Sequence, residues 1–321
     1  MFKFALWLGL FGVLVVSPFV GAASLNFSDL FTPQSLTCNI FFELRLPRVL
    51  FAFAAGSILG LSGLLFQTLF RNALMTPYTL GISSGAVLGA GIALKLGLGT
   101  LIFGIASMSF FGFFGALLSV FLLLYLAQFL RSGAQESLLL LGIALSLFYT
   151  AALMIVFYLG SAMQNDMLIR FTMGSLSIIG WQSPILLSFV AFLLLGGLYL
   201  YRFELALLSI SEHQAQLKGV NTKRVTLILL LLSSLGIGIL VSISGPIGFV
   251  GLIVPHIVAK IYPQTISRRI LKTALFGGFF LVFCDTLTRG LQTQSELPIG
   301  IVTALIGGPF FIYLILTKGK K

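Results

Sequence analysis

The chain has 321 residues, of which 58% are hydrophobic and only 8% are charged, and its mean hydropathy is +1.11. Soluble domains carry about a quarter charged residues, so this composition excludes a soluble globular protein and indicates an integral membrane protein. The formal charge of +11 comes from basic residues scattered between apolar runs, which is typical of membrane loops rather than of a nucleic-acid-binding surface.

Ten apolar runs predict an all-α integral membrane protein with about ten transmembrane helices, in one domain over residues 1–321. The runs are residues 4–22, 49–70, 78–98, 101–130, 137–160, 184–201, 225–245, 247–262, 270–288 and 299–317. The first run ends in Gly21-Ala22-Ala23-Ser24, which also fits a secretory cleavage site. We keep it as a helix, because only an even number of spans returns both ends of the chain to the same side.

The distribution of lysine and arginine predicts the orientation of these spans. With the N-terminus inside, fourteen basic residues fall on the cytoplasmic side and five outside, which together account for the 19 in the chain. The reverse orientation would invert this bias, so both termini are expected to be cytoplasmic. The five outer residues are Arg45, Arg48, Lys95, Arg170 and Arg289.

The polar segment from Ser24 to Arg48 predicts an external loop that ends in two arginines, Arg45 and Arg48. The next run, Val49 to Phe70, contains no charge and has the length of one bilayer crossing. Its glycines at positions i, i+4 and i+7 predict one flat helix face for close packing in lipid. These glycines are Gly56, Gly60 and Gly63.

A polar elbow follows this span, with the sequence Arg71-Asn72-Ala73-Leu74. Pro77 prevents simple continuation of the helix. The next run opens with Leu80-Gly81-Ile82-Ser83-Ser84-Gly85, whose small residues indicate close packing on several sides.

The longest cytoplasmic loop, residues 202–224, contains one short predicted helix. Ser211 is suited to cap it, Lys218 falls in its last turn, and Gly219 favours its end. Considered alone, this is the pattern of any surface helix that links two spans.

A third segment, Ser242 to His256, reads SISGPIGFVGLIVPH. Its Gly-Pro pair and second proline predict a broken helix, and its glycines are spaced for close backbone contact. His256 has no Cys, Asp or Met nearby, so we interpret it as a helix-packing residue rather than a metal ligand. The residues assigned to packing here are Gly245, Pro246, Gly248, Gly251, Pro255 and His256.

Several motifs of energy-coupled or catalytic proteins are missing from the sequence. It contains no G-x-x-x-x-G-K-[ST], no H-E-x-x-H and no C-x-x-C, and its two cysteines, Cys38 and Cys284, lie far apart. We therefore expect no enzyme activity, no metal site and no cofactor in this chain. If the chain takes part in active transport, we expect another subunit to supply the energy. The alternative is a secondary transporter, which would work without ATP. Such a protein would need a buried relay of charged residues, and the sequence shows none.

The ordered motifs resemble the permease family of ABC importers for ferric siderophores, haem and cobalamin, and the match spans most of the chain. The shared elements are L-P-R before an apolar span, R-N-A-L in place of the family's R-N-P-L, L-G-I-S-S-G, the segment ending in P-H, and a tail containing D-x-x-x-R, E-L-P-I-G and T-x-L-x-G-x-P-x-F. Ala73 stands where the family usually has proline, and Lys218 where it usually has leucine. The resemblance implies a type II importer permease fold in the bacterial inner membrane.

The resemblance also implies roles for particular residues. Outer arginines of the family receive glutamates of a substrate-binding protein, although lipid-phosphate anchoring would use the same side chains; here they are Arg45, Arg48 and Arg289. Asn72 and Leu74 would narrow the cytoplasmic end of the path, although a tight turn also accounts for them. The segment at about 203–223 would dock into an ATPase through Glu212, Ala215, Leu217, Gly219 and Val220.

The partners implied are a second permease subunit, identical or paralogous, two cytoplasmic ATPase subunits that hold ATP and Mg²⁺, and one extracytoplasmic binding protein. No nucleic acid is expected. An iron(III)-siderophore or other iron chelate is the expected cargo, since that class is the most common in the family, with haem or cobalamin as alternatives.

Overall fold

The computed structural model describes residues 2–21, 35–98, 101–102, 105–129, 135–290 and 297–318. Residues 24–34 of the predicted external loop lie outside these residues, as do Arg131, Glu296 and the two C-terminal lysines.

The described chain is helical apart from one short antiparallel ladder. The helices are α1 (Phe2–Val16), α2 (Leu36–Asn39), α3 (Leu46–Leu69), α4 (Ile82–Lys95), α5 (Ser107–Ala127), α6 (Gln135–Leu159), α7 (Ala162–Met173), α8 (Gln182–Leu200), α9 (Arg202–Leu208), α10 (Glu212–Leu217), α11 (Thr222–Ser244), α12 (Val250–Ile261), α13 (Ile266–Gly290) and α14 (Ile299–Lys318). A 3₁₀ turn (Ser17–Phe19) follows α1, a π-helical segment (Ile40–Arg45) joins α2 to α3, and the strands are β1 (Leu101–Ile102) and β2 (Ile105–Ala106).

Seven helices among the described residues are long and apolar enough to cross a membrane. Three shorter apolar helices, Trp7–Phe19, Ile82–Lys95 and Val250–Ile261, match the other predicted runs. A helical membrane protein is therefore confirmed.

Two predicted boundaries were wrong. The run predicted from residue 101 begins with the β-ladder, and its helix starts at Ser107. Helical structure also begins at Leu36 rather than at 49, because the Ser35 side chain accepts a hydrogen bond from the Cys38 N–H (3.0 Å) and caps the first turn. Much of the segment read as an external loop is thus an extension of α3.

Helix α3 forms the centre of the bundle. The apolar window of the helix Leu36–Leu69 is 89% buried, whereas those of Ser137–Leu159 and Ile299–Leu316 are each 22% buried. α3 packs against α8, α11, α12 and α13, and its 24 residues extend about 36 Å. It therefore connects two ends of the molecule. We call the end where α3 begins and α13 finishes the arginine end. We call the end where α3 finishes, near α9 and α10, the coupling end.

Candidate functional site

At the arginine end, one carboxylate holds two guanidinium groups. Arg48 donates from Nε (3.0 Å) and Nη2 (2.9 Å) to Asp285 Oδ1, and Arg289 Nε lies 3.0 Å from Asp285 Oδ2. Asp285 is fully buried, and Arg48 and Arg289 are 8% and 7% exposed. A buried charge is tolerated only when it is paired, so this ion-pair cluster fixes the start of α3 against the end of α13.

The same cluster reaches the end of α1. Arg289 donates to Ser17 Oγ (2.6 Å) and to the Val20 carbonyl (3.1 Å). Arg45 donates to the carbonyls of Pro18 and Phe19, both at 3.2 Å. The structure thus brings the three arginines predicted to dock a separate protein close to one another, but it buries them and gives each one partners within the chain.

The glycine face of α3 packs directly on two neighbouring helices. Gly56 lies against the backbone of Gly277 in α13, Gly60 lies next to Thr273 and Gly277, and Gly63 lies against Gly251 in α12. A Cβ at Gly63 would collide with the Gly251 backbone. These contacts depend on the absence of side chains, which is how helices in lipid approach closely.

The break between α11 and α12 runs from Gly245 to Phe249. Gly245 has φ +69° and terminates α11, while the Ser244 carbonyl accepts a hydrogen bond from the Ser175 N–H (2.7 Å). Pro255 lies inside α12 and cannot bond to the carbonyl of Gly251 one turn earlier. The Gln67 side chain donates to that carbonyl instead (3.0 Å), which satisfies the freed backbone group.

Beside this break lies a groove of about 540 Å³ with mainly apolar walls. Along α14 its lining extends from Gly300 to Phe311, a stretch of twelve residues or about 16 Å of helix. Pro246 and Gly248 of the break line it, and no side chain would be obstructed at Gly248. Three other lining residues are partly exposed, so the groove opens on the protein surface; they are Leu74 at 37%, Tyr78 at 50% and Ile301 at 38%.

Leu74 lies at the coupling end of this groove. Its backbone N–H donates to Asn72 Oδ1 (3.0 Å), which fixes the turn that presents the leucine. The structure therefore brings together the two residues that the resemblance assigned to the cytoplasmic end of a path, and it places one of them on a cavity wall.

Sequence reasoning missed Phe249, which also lines the groove. Its φ of +64° is in the left-handed region, which is a costly conformation for a bulky residue. Its ring packs where Gly307 of α14 has no side chain, and a Cβ there would collide with it. The glycine in the T-x-L-x-G-x-P-x-F tail was visible in the sequence, but nothing in the sequence paired it with Phe249.

His256 lies near the aromatic ring of Phe310, with ring centroids 6.3 Å apart at an interplanar angle of 80°. The part of the chain that the structure describes contains no group of three or more His, Cys, Asp or Glu placed to hold a metal ion. The helix-packing interpretation of His256 agrees with this contact.

The predicted cytoplasmic helix exists as α10. Gly219 has φ +82°, its N–H bonds to the Gln216 carbonyl (2.9 Å), and the Val220 N–H bonds to the Ala215 carbonyl (3.0 Å). This pair of bonds is a Schellman end, and it is why glycine stops the helix here. Ser211 occupies the N-cap position, but its side chain makes no capping hydrogen bond.

Packing gives α10 one inward face and one exposed face. Ala215 is fully buried, whereas Leu217 is 74% exposed and Ile210, just before the helix, is 63% exposed. The exposed Glu212 accepts a hydrogen bond from the Thr222 hydroxyl (3.2 Å), which ties α10 to the start of α11. The coupling end therefore presents an ordered helix with exposed apolar side chains.

The model of a family named the FecCD transport family matches residues 9–317. Among curated relatives, the "Probable iron chelatin transport system permease protein" of Helicobacter pylori is 34% identical over 87% of this chain and 83% of the relative. The "Hemin transport system permease protein HmuU" of Yersinia pestis is 35% identical over 94% of this chain and 91% of the relative.

A solved structure with similar architecture is an ABC transporter, provisionally assigned to the metal-chelate type, in an inward-facing conformation. It superposes with a TM-score of 0.81 at 28% identity and covers 96% of this chain and 97% of its own.

Proposed function

The chain belongs to the FecCD transport family, and from that premise we propose how its groove and its two ends carry out transport. It is the non-catalytic membrane permease of an ABC importer, and ATP is hydrolysed by a separate subunit. The observation that carries our proposal is the apolar groove whose lining includes Leu74 and Phe311. This groove runs beside a broken helix and opens on the surface.

We assign ten spans to the chain, with the arginine end outside the cell and the coupling end in the cytoplasm. The seven long and three shorter apolar helices supply the ten. The excess of lysine and arginine in the loops assigned to the cytoplasm supports the orientation, and it places both termini inside.

A second permease subunit would cover the open side of the groove and complete a path between the two subunits. The cargo is an iron chelate rather than a bare ion. Among the described residues that line the groove, none is a carboxylate, histidine or cysteine, and a bare metal ion would need such ligands. An organic chelate presents its own apolar surface to walls of this kind; haem and cobalamin share that property and are the alternatives.

Leu74 would close the path at the coupling end, with Asn72 fixing the turn that carries it. Two copies of Leu74, one from each subunit, would meet across the path. Movement of α10 would reach this gate through α9, which packs against both α10 and α3.

The exposed face of α10 is the surface that we assign to the partner ATPase. Burial of Leu217 and Ile210 on association would remove apolar area from water, which is the main favourable term in such interfaces. The ATPase would then bias the path between its outward- and inward-open states through differential contacts.

The binding protein would dock at the arginine end, but not on freely exposed arginines. A recess of about 230 Å³ is lined there by Arg48, Arg170 and Ser175. A carboxylate of the binding protein would enter this recess beside Arg48 and Arg170. The ion-pair cluster would hold the Arg48 guanidinium in place, and its positive charge would attract the carboxylate.

The test is uptake of radioactive iron, supplied as a ferric siderophore on the binding protein, into proteoliposomes that contain the permease and its ATPase. We expect accumulation only when ATP, ATPase and binding protein are all present, and background uptake when any one is omitted. Haem and cobalamin as competitors identify the cargo class. Uphill uptake by the permease alone would overturn the proposal.

A further inference from the structure

A second cavity, of about 320 Å³, lies at the coupling end beside the groove. Gln67, Arg71 and Ala73 line it from the end of α3 and the following turn, and His256 and Arg269 line it from α12 and α13. We call this cavity the basic pocket.

At two places, neighbouring residues line the basic pocket and the groove. Ala73 lines the basic pocket, and the next residue, Leu74, lines the groove. On α12, Leu252 lines the groove and His256, one turn further, lines the basic pocket. The basic pocket therefore lies next to the coupling end of the groove, where a solute that passes Leu74 would leave it.

The charge of the basic pocket has one sign. Arg71 and Arg269 line it, and no carboxylate is found among its described lining residues. Arg269 Nε is buried and has no hydrogen-bond partner in the part of the chain that the structure describes. A buried N–H without an acceptor is costly, and an anionic oxygen is the strongest acceptor for a guanidinium.

We propose that the basic pocket receives an anionic oxygen of the cargo, a carboxylate or a similar oxyanion, as the chelate leaves the groove past Leu74. This inference rests on the proposed function and narrows it, since it names an anionic chelate as the cargo class. Arg269 is the side chain that contacts the anion, with Arg71 adding positive charge at the same exit.

The direct test measures the potential inside the pocket. Ala73→Cys is introduced into the full-length permease with Cys38→Ser and Cys284→Ala, and the cysteine is labelled in turn with anionic and cationic methanethiosulfonates. Each rate is divided by the rate of the same reagent with a small free thiol, and on that scale we expect the anionic reagent to react faster. Arg269→Gln removes one positive charge from the pocket wall, which lowers the rate of the anionic reagent and raises that of the cationic reagent, so the ratio of the two rates should fall severalfold.

Two variants control this measurement. Arg269→Lys keeps the charge and should retain the ratio, which separates electrostatics from a folding defect. Arg268→Gln removes an exposed neighbouring charge that does not line the pocket, and it should change the ratio less than twofold. A ratio that Arg269→Gln leaves unchanged would overturn the proposal.

Protection by ligand identifies the source of the anion. Ferric citrate should slow labelling of the cysteine at position 73, and a neutral ferric hydroxamate chelate should not. If the ATPase protects the cysteine and ferric citrate does not, the pocket belongs to the protein interface and the proposal is wrong. Labelling requires no transport, so its outcome can be read even where the uptake experiment fails.

Discussion

At the arginine end the polar groups are buried and bonded inside the chain, whereas at the coupling end apolar groups are left exposed. Asp285 is fully buried between Arg48 and Arg289. Leu217 and Ile210 are 74% and 63% exposed in a loop that we place outside the membrane. The ion-pair cluster at the first end holds three helices together, while the second end presents apolar side chains that a partner would bury.

The resemblance assigned a docking role to both ends of the molecule. The difference in burial separates a structural role for the arginines from a docking role for α10. Structural arginines in a low-dielectric setting must be paired at all times. A docking helix gains its contacts only on association, so it must be ordered beforehand by backbone bonds such as those at Gly219. Substitutions at the two ends should therefore affect different measurements.

The largest effect is expected for Asp285→Asn, which leaves two buried guanidinium groups without their carboxylate. Loss of one partner from a buried ion pair costs about 3–5 kcal/mol of the free energy of unfolding. Thermal unfolding of the purified permease in detergent should show a strong decrease in Tm.

The control is Asp166→Asn, which breaks the exposed pair between Asp166 and Arg170, whose side chains are 63% and 74% exposed. Exposed pairs contribute about 1 kcal/mol or less, so Tm should change little. Equal decreases in Tm for both variants would contradict the distinction between a buried structural cluster and an ordinary surface pair.

Leu217→Ala should weaken ATPase association and leave Tm unchanged. Loss of the buried part of this side chain removes about 1–2 kcal/mol of the association free energy, roughly a tenfold increase in Kd. Titration of the ATPase against the reconstituted permease measures it. Ile179→Ala, which truncates a residue 84% exposed at the other end, should leave Kd unchanged. Unaltered Kd for Leu217→Ala would remove α10 as the docking surface.

Gly219→Ala should destabilise the end of α10 by about 1–2 kcal/mol, because alanine is strained at φ +82° although no atom blocks its Cβ. Hydrogen exchange of the α10 amides should accelerate. Gly196→Ala is the matched control: its Cβ is also unobstructed, but it lies inside α8 with an ordinary φ. There alanine should be neutral or slightly stabilising. The same response at both glycines would argue against a left-handed helix end.

The smallest effect is expected for Ser211→Ala, since that side chain makes no capping hydrogen bond. Its change in stability should be below about 0.5 kcal/mol, whereas Asn221→Ala should cost about 1 kcal/mol. Asn221 accepts a hydrogen bond from the Arg224 N–H (3.1 Å) at the start of α11. A larger loss at Ser211 than at Asn221 would show that α10 is capped differently.

Local features of the fold could be predicted from the sequence, and tertiary partners could not. The flat face of α3 and the end of α10 at Gly219 follow from glycine spacing and backbone freedom. The glycines that pack on α3, Gly251 and Gly277, could not be identified, because that pairing depends on how distant helices cross.

The candidate site shows the same limit. Asp285 and Arg289 are four residues apart, a helix spacing that allows an ion pair although Arg289 was assigned to docking, and Arg48 lies 237 positions from Asp285. The left-handed Phe249 contradicts the intrinsic preference of phenylalanine, so no local rule predicts it. Polar residues before Arg48 indicated a loop, yet a cap at Ser35 extends the helix through that segment.

The most direct test of the central claim is the accessibility of the groove in the complete transporter. Ala304→Cys lies on the groove wall, and Leu305→Cys is the control on the same helix, 69% exposed and outside the groove. Both variants also carry Cys38→Ser and Cys284→Ala. A membrane-impermeant thiol reagent should label position 304 from one side of the membrane without nucleotide, and this labelling should be lost when ATP is trapped. Labelling of position 305 should not change with nucleotide. Labelling at 304 that is independent of nucleotide, or identical to that at 305, would show that the groove faces lipid and is not half of a transport path.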